Sequence, residues 1–385
     1  MTDFRVVICG GGIAAVEGLL RLRRLLGDGV HIDLVAPNEE LVVRPLAVRE
    51  PFSYGAPARY PLRRIAADGS AEWIKDSLAW VDTSGRIVHT GEGGQLEYDA
   101  LLIAIGAKLV EPYEHAGTFR DDRADETLRG LVQDVEEGYS RSVAFVLPVG
   151  PVWPLPLYEL ALMTAERAYS MNVDDLELAI VTPEVRPLAI FGVAAGDAVD
   201  RLLADARINV YASALAQVPA KGRLLIQPQG VELHPSRIVA MPRVAGPAIR
   251  GIAGAGALGF VPIDKFCCVP ETDGRVFAAG DAVAFPIKHG GLGAQMADTA
   301  AGAIAALAGT DVEAKPFHPE IRGKLLTGAK PLYISARPVG SEGFGSEVYE
   351  TPPWPEDEKI VAEELGPYLE GLDAKRSAAE TSPRA

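Results

Sequence analysis

The chain alternates short, wholly apolar runs with longer segments whose apolar residues fall at helical spacing. That is the pattern of buried parallel strands joined by covering helices. Val6, Val7 and Ile8 form the first such run, and a helical pattern then continues through Leu22. Residues 30–36 predict a second strand, and 80–88 and 95–105 predict strands around the turns at 83–85 and 91–94. The layout starts again near Arg141, with strand 142–147, helix 156–169, strand 176–182, amphipathic helix 194–206 and strand 208–211. The chain therefore reads as two related α/β units. A last α/β block spans 274–307 and ends in a long Ala-rich helix; beyond Gly309 the pattern loosens. Residues 341–385 are acidic and dotted with proline. Within them Ile360, Val361, Leu365, Tyr368 and Leu369 fall at helical spacing. This stripe predicts packing against the body of the protein or against a twin subunit, so a homodimer stays open.

At 385 residues there is room for two domains or a little more. The chain is 48% hydrophobic and 23% charged, ordinary for a globular protein. A net charge of −15 argues against nucleic acid and anionic membrane surfaces as partners. No apolar stretch is long enough to span a bilayer. The first strand begins almost at once, leaving no room for a signal peptide, so a cytoplasmic location is expected. The three cysteines, Cys9, Cys267 and Cys268, build no disulfide framework and no C-x-x-C or C-x4-C pair. Cys9 reads as a small buried hydrophobe, and Cys267 and Cys268 as free thiols, since a vicinal disulfide is strained. No metal site is expected.

Gly10, Gly12 and Ala15 fit the G-x-G-x-x-G/A pattern that follows the first strand of a dinucleotide fold. Gly10 permits the tight turn, Gly12 lets a pyrophosphate approach the backbone, and Ala15 lets helix and strand pack closely. The helix that starts here points unpaired N–H groups at the ligand. The acid that usually ends the second strand is replaced by Ala36, followed by Pro37, Asn38, Glu39 and Glu40. Ribose recognition then falls to Asn38, Glu39 or backbone groups.

Three segments in order carry a resemblance: the glycine turn, YDALLIAIGA ending near Gly106, and VFAAGDA with Gly280 and Asp281. Together they resemble the FAD-dependent pyridine nucleotide-disulfide oxidoreductases, flavoproteins with two Rossmann-like dinucleotide-binding domains, the second inserted in the first. The resemblance implies that Gly10, Gly12 and Ala15 bind the FAD pyrophosphate and that Gly106 closes the discontinuous FAD domain. It implies that Asp281 serves the ribityl–pyrophosphate region. The implied layout is an FAD domain over residues 1–116 and 255–318, an NAD(P)-binding-like domain over 117–254, and a C-terminal extension over 319–385.

Within that superfamily the chain looks most like sulfide:quinone oxidoreductases and type II NADH dehydrogenases. Arg44, Pro45 and Leu46 resemble their flavin-side loop, and residues 286–297 resemble the loop and helix under the isoalloxazine ring. Residues 294–297 match an A-Q-x-A pattern associated with quinone contact, which involves Gln295. The resemblance also implies cofactor contacts at Asn38, Val81 and Leu292. A helix N-terminus at the flavin O2/N1 edge favours negative charge on the ring. Lys288 would add a fixed positive charge there, or else is a surface lysine in a glycine loop.

The pattern breaks at the matching turn of the second unit. Gly150 is the only glycine in AFVLPVGPVWPLPLYELALMTA, and Pro148, Pro151, Pro154 and Pro156 crowd it. Proline removes N–H donors, which makes a poor pyrophosphate cradle and a stiff apolar wall carrying Trp153 and Leu155. Sulfide:quinone oxidoreductases show a similar proline-rich replacement followed by a Tyr-Glu pair, resembled here by Tyr158 and Glu159. Glu159 would be a general base if the wall raises its pKa, or else a local hydrogen-bonding group. Persulfide chemistry on a cysteine pair is not expected, because the cysteines are not at the matching places. The leading expectation is an FAD enzyme whose small donor enters between the flavin and residues 153–159. The acceptor would be a quinone, another small oxidant or a redox protein. An NAD(P)H-dependent reductase and a non-catalytic flavin-binding or redox-sensing protein stand as alternatives. The acidic polar face of the tail stripe weighs against a lipid-borne quinone.

Overall fold

The structure, a computed structural model, describes residues 4–339, 343–354 and 359–381. Five parallel strands form a first sheet, in the order Val276–Ala278, Ala100–Ile103, Arg5–Cys9, His31–Val35, Glu72–Ile74. The central runs are buried on both faces because both faces are covered. Helices Ile13–Leu26 and Gly290–Leu307 pack together over one face. A Cβ on Gly18 would lie 2.6 Å from Leu102 Cδ2, so the first helix sits closer to the sheet than a side chain allows. An antiparallel meander, Leu78–Asp82, Ile87–Thr90 and Gln95–Glu97, lies against the first sheet, bringing Ile87 and Leu96 near Arg5 and Asp33.

A second parallel sheet repeats the plan, in the order Gly117–Thr118, Arg237–Ala240, Ser142–Val146, Glu177–Val181, Ile208–Tyr211. It has its own meander, Leu215–Ala220, Arg223–Gln227 and Val231–Leu233. Where the chain passes between the two sheets and back, Lys108–Val110 pairs antiparallel with Arg243–Ala245. This is the mixed α/β architecture with paired Rossmann-like sheets that the repeated pattern predicts.

Two expected strands are each broken in the structure. Residues 80–88 are shared by Leu78–Asp82 and Ile87–Thr90, with Arg86 at φ 56° in the turn. Residues 95–105 divide between meander strand Gln95–Glu97 and sheet strand Ala100–Ile103. Asp99 makes that change of sheet, since its Oδ2 accepts the Arg5 N–H at 3.0 Å.

Past the Ala-rich helix the chain builds a three-stranded antiparallel sheet, Ile321–Leu325, Leu332–Pro338 and Phe344–Tyr349. Ile321, Leu325 and Ile334 bury their side chains with the core under the second sheet. The tail helix is Leu365–Thr381, so Ile360 and Val361 of the apolar stripe precede it. Leu365 and Ile360 are both buried against the body of the protein. Residues 340–342, 355–358 and 382–385 of the acidic tail lie outside the described residues. Among the described residues, no helix is long and apolar enough to cross a membrane.

Candidate functional site

The glycine turn leaves the C-terminal end of the central strand, where an open parallel sheet presents its ligand crevice. Gly10 has φ +133°, and a Cβ there would fall 2.2 Å from Ala104 O. The segment ending at Gly106 (φ +74°) thus presses directly on the turn. Gly12 caps helix Ile13–Leu26 with no side-chain hydrogen bond, and a Cβ on it would meet nothing within 4 Å. Ala15 is fully buried beneath. An uncapped helix start in front of open space is a ready anion cradle.

The GD turn closes over this cradle: a Cβ on Gly280 would touch Ala14 Cβ at 3.3 Å. Burial raises the Asp281 pKa, opposed by the Lys288 charge and reinforced by Asp121. Arg44, at the start of the 3-10 turn Arg44–Phe52 with Pro45 beside it, reaches Asp121 Oδ1 at 3.7 Å. That Oδ1 is buried and makes no hydrogen bond. Lys288 turns its ammonium into this turn, donating to the carbonyls of Asp281 (3.2 Å) and Val283 and lying 3.8 Å over the Phe260 ring. Burial brings its pKa down to about 8.

His289 stands at the N-cap of helix Gly290–Leu307. It is buried, with its Nδ1 unpartnered, and burial lowers its pKa to about 4. Trp153 packs on it, ring centroids 4.7 Å apart. Behind lies a buried ion pair, in which Glu159 Oε2 accepts from Lys359 Nζ at 2.6 Å and Oε1 from the Leu326 N–H at 3.0 Å. Burial raises the Glu159 pKa and lowers that of Lys359, each opposed by the partner's charge. Glu159 therefore anchors the C-terminal region to helix Leu155–Ser170.

Tyr158, one residue earlier, points elsewhere. Its hydroxyl donates to Glu184 Oε2 at 2.5 Å, and Thr182 Oγ1 donates to the same oxygen at 3.1 Å. Glu184 follows strand Glu177–Val181, the strand after helix Leu155–Ser170, the place where a dinucleotide fold keeps its ribose-binding acid. Here that acid is half-buried, and burial raises its pKa.

The remaining expected residues are spread more widely. Asn38 is exposed beside Glu39, whose carboxylate pairs with Lys75. Val81 is buried, its N–H donating to Arg250 O at 3.0 Å. Leu292 is buried in the core beneath the second sheet. Gln295 spends its amide on Glu320, donating to its carbonyl at 2.9 Å and accepting from its N–H at 3.0 Å. The cysteines are free, with burial raising the Cys9 and Cys267 thiols to about 12.

Four site groups escaped the sequence: Asp121, Glu184, His289 and Lys359. His289 left a local signal, a polar residue just before the paired glycines that open a helix, and Glu184 another, an acid just past the end of a strand. Asp121 and Lys359 depend on contacts between distant segments.

The resulting donor set suits an elongated ligand with a diphosphate and a polyol, as FAD has. The uncapped turn offers N–H groups to the diphosphate, while Asp281 and the Asp121 Oδ1, which makes no hydrogen bond, offer acceptors to hydroxyls.

No protein-family model matches the chain. The sulfide-quinone reductase of Aquifex aeolicus is 25% identical over 303 residues, 73% of this chain and 69% of that protein. The apoptosis-inducing factor 1 of Saccharomyces cerevisiae is 30% identical over 118 residues, 30% of each chain. Among solved structures, the Aquifex aeolicus sulfide:quinone oxidoreductase superposes with a TM-score of 0.81 at 20% identity, covering 90% of this chain and 87% of that one. In sequence and in fold, the chain resembles the FAD-dependent pyridine nucleotide-disulfide oxidoreductases, and among them sulfide:quinone oxidoreductase.

Proposed function

We propose that the chain is an FAD-dependent oxidoreductase passing two electrons from a small donor to a quinone or another acceptor. In this reading it uses neither conventional NAD(P)H binding nor a redox cysteine pair. The flavin belongs to residues 1–116 with 255–318, and residues 117–254 form the donor side. One contrast carries the reading: the cradle at Gly12 is open, whereas the ribose position of the second unit is filled by Tyr158 on Glu184. The likeness to a protein named sulfide-quinone reductase supports a quinone acceptor.

When bound, FAD supplies a two-electron carrier that reacts at N5. Residues 11–15 would hold its diphosphate through backbone N–H groups and the helix dipole, the Gly10 N–H being bonded to Val35 O at 2.8 Å. Asp281 and Asp121 orient the polyol, and Lys288 fixes the turn that carries Asp281. Trp153 and the neighbouring prolines exclude water from the donor side. His289, neutral near pH 7, offers its unpartnered Nδ1 for a hydrogen bond. Glu159 is committed to Lys359 and positions the wall.

Anaerobic mixing tests this. The purified protein should carry FAD that dithionite bleaches and a soluble quinone reoxidises faster than an enzyme-free blank. Stoichiometric bleaching by NADH or NADPH above the blank would overturn the donor reading. Failure to bind FAD would overturn the whole.

A further inference from the structure

We propose that His31, Asp33 and Glu72 form a binding site for a divalent transition-metal ion, with Zn2+ the best fit. The site lies at the N-terminal end of the first sheet, opposite the glycine turn, and has no part in the flavin reading.

Alternate residues of a strand share a face, so His31 and Asp33 project together from His31–Val35. Parallel register then sets Asp33 directly opposite Glu72 on the neighbouring strand. One imidazole nitrogen and two carboxylate oxygens thereby converge, all within 4.8 Å of one another. The shortest approach is His31 Nε2 to Asp33 Oδ1, 2.8 Å. A tetrahedral Zn2+ with bonds of about 2.0–2.2 Å holds its ligand atoms roughly 3.3–3.6 Å apart, inside that range.

The chemistry selects the ion. Two carboxylates and a neutral imidazole bring two negative charges to a divalent cation. A mixed nitrogen–oxygen set suits Zn2+ better than Mg2+ or Ca2+, which prefer oxygen alone. Like charges directly opposite in a sheet repel, and an ion between Asp33 and Glu72 turns that repulsion into ligation. Asp33 is only 6% exposed, so a rigid strand positions the central ligand, while the exposed His31 and Glu72 leave a route in from solvent. A cavity of about 340 Å³, lined by Asp33, Arg5, Gln95 and Glu97 among others, adjoins the site and has room for a water as fourth ligand. The sequence hid the site because Glu72 lies far along the chain from the H-x-D pair.

The experiment titrates Zn2+ into untagged, chelator-stripped full-length protein by calorimetry, with excess Mg2+ present. The expected result is one Zn2+ per chain, with affinity lowered about tenfold or more in both His31→Ala and Glu72→Gln. Both substitutions are at exposed positions, and unchanged far-UV circular dichroism verifies their folding. The proposal is overturned if the wild type shows no saturable binding, or if both variants bind as tightly as the wild type.

Discussion

Gly10 and Gly12 are two positions apart, yet the structure gives them different work. Alanine at Gly10 would need φ +133° and would push Cβ to within 2.2 Å of a backbone oxygen. Gly10→Ala should therefore cost about 1–3 kcal/mol or more in urea unfolding, and the protein should purify without flavin. At Gly12 the added Cβ meets no protein atom within 4 Å. Gly12→Ala should leave the apoprotein as stable as wild type but weaken FAD binding, measured by fluorescence titration. Equal loss of stability in both variants would refute the assignment of Gly12 to the ligand. These roles are legible in sequence because backbone geometry is local. Glu159 is the opposite case. Its side-chain partner Lys359 lies 200 positions away, so the Tyr-Glu pair could be seen but not the commitment of its carboxylate. Removing one member of a buried pair strands the other charge. Glu159→Gln should cost about 3–5 kcal/mol, and adding Lys359→Met should restore part of it in the same denaturation assay.

At the level of elements, the apolar stripe in the tail marked a packing face, but the helix there starts only at Leu365. The reason lies on another helix. The buried Glu17 carboxylate accepts the N–H groups of Glu364 (3.0 Å) and Leu365 (2.6 Å), fixing the helix start from outside. No pattern within the tail encodes a cap supplied from residue 17. The short strand Ile321–Leu325 was similarly silent, since it buries only alternate residues against a distant core. The Glu17 cap also makes a titration prediction. Asp298, on helix Gly290–Leu307, hydrogen-bonds Glu17. Burial first, then the charges of Glu17 and Glu363, raise its pKa to about 9, against the lowering effect of Arg21. Burial also raises Glu17, opposed by the two backbone N–H bonds it accepts. The folded protein thus keeps a proton that the unfolded chain releases near pH 4. Stability from this pair is full below that pH and is lost as pH rises toward about 9. Asp298→Asn keeps a donor for Glu17 without the titration. Its urea midpoint relative to wild type should rise between pH 5 and pH 9, and an unchanged or falling difference would refute the shared proton.

Across the whole molecule, the repeated α/β layout was readable because both units obey the same strand and helix periods. Their functional divergence was readable only in part. The prolines around Gly150 announced a lost cradle, but the stronger barrier is the bond from Tyr158 to Glu184, which joins a helix to the end of a neighbouring strand. A plain turn could be remodelled by an incoming pyrophosphate. An incoming ribose must compete with the Tyr158 and Thr182 hydroxyls that already donate to Glu184 Oε2, and breaking the bond to the fully buried Tyr158 is costly. Ligand binding to the folded state stabilises by mass action, so the two units can be interrogated by stability alone. FAD at 100 times its Kd should stabilise the apoprotein by about 2.7 kcal/mol, seen as a raised melting temperature. NADH and NADPH at the same concentration should leave the melting temperature unchanged, with or without FAD present. A shift with NADH that grows in Tyr158→Phe would show that the second unit still admits the nucleotide and that Tyr158 merely limits it. A shift with NADH and none with FAD would reverse the roles given to the two halves.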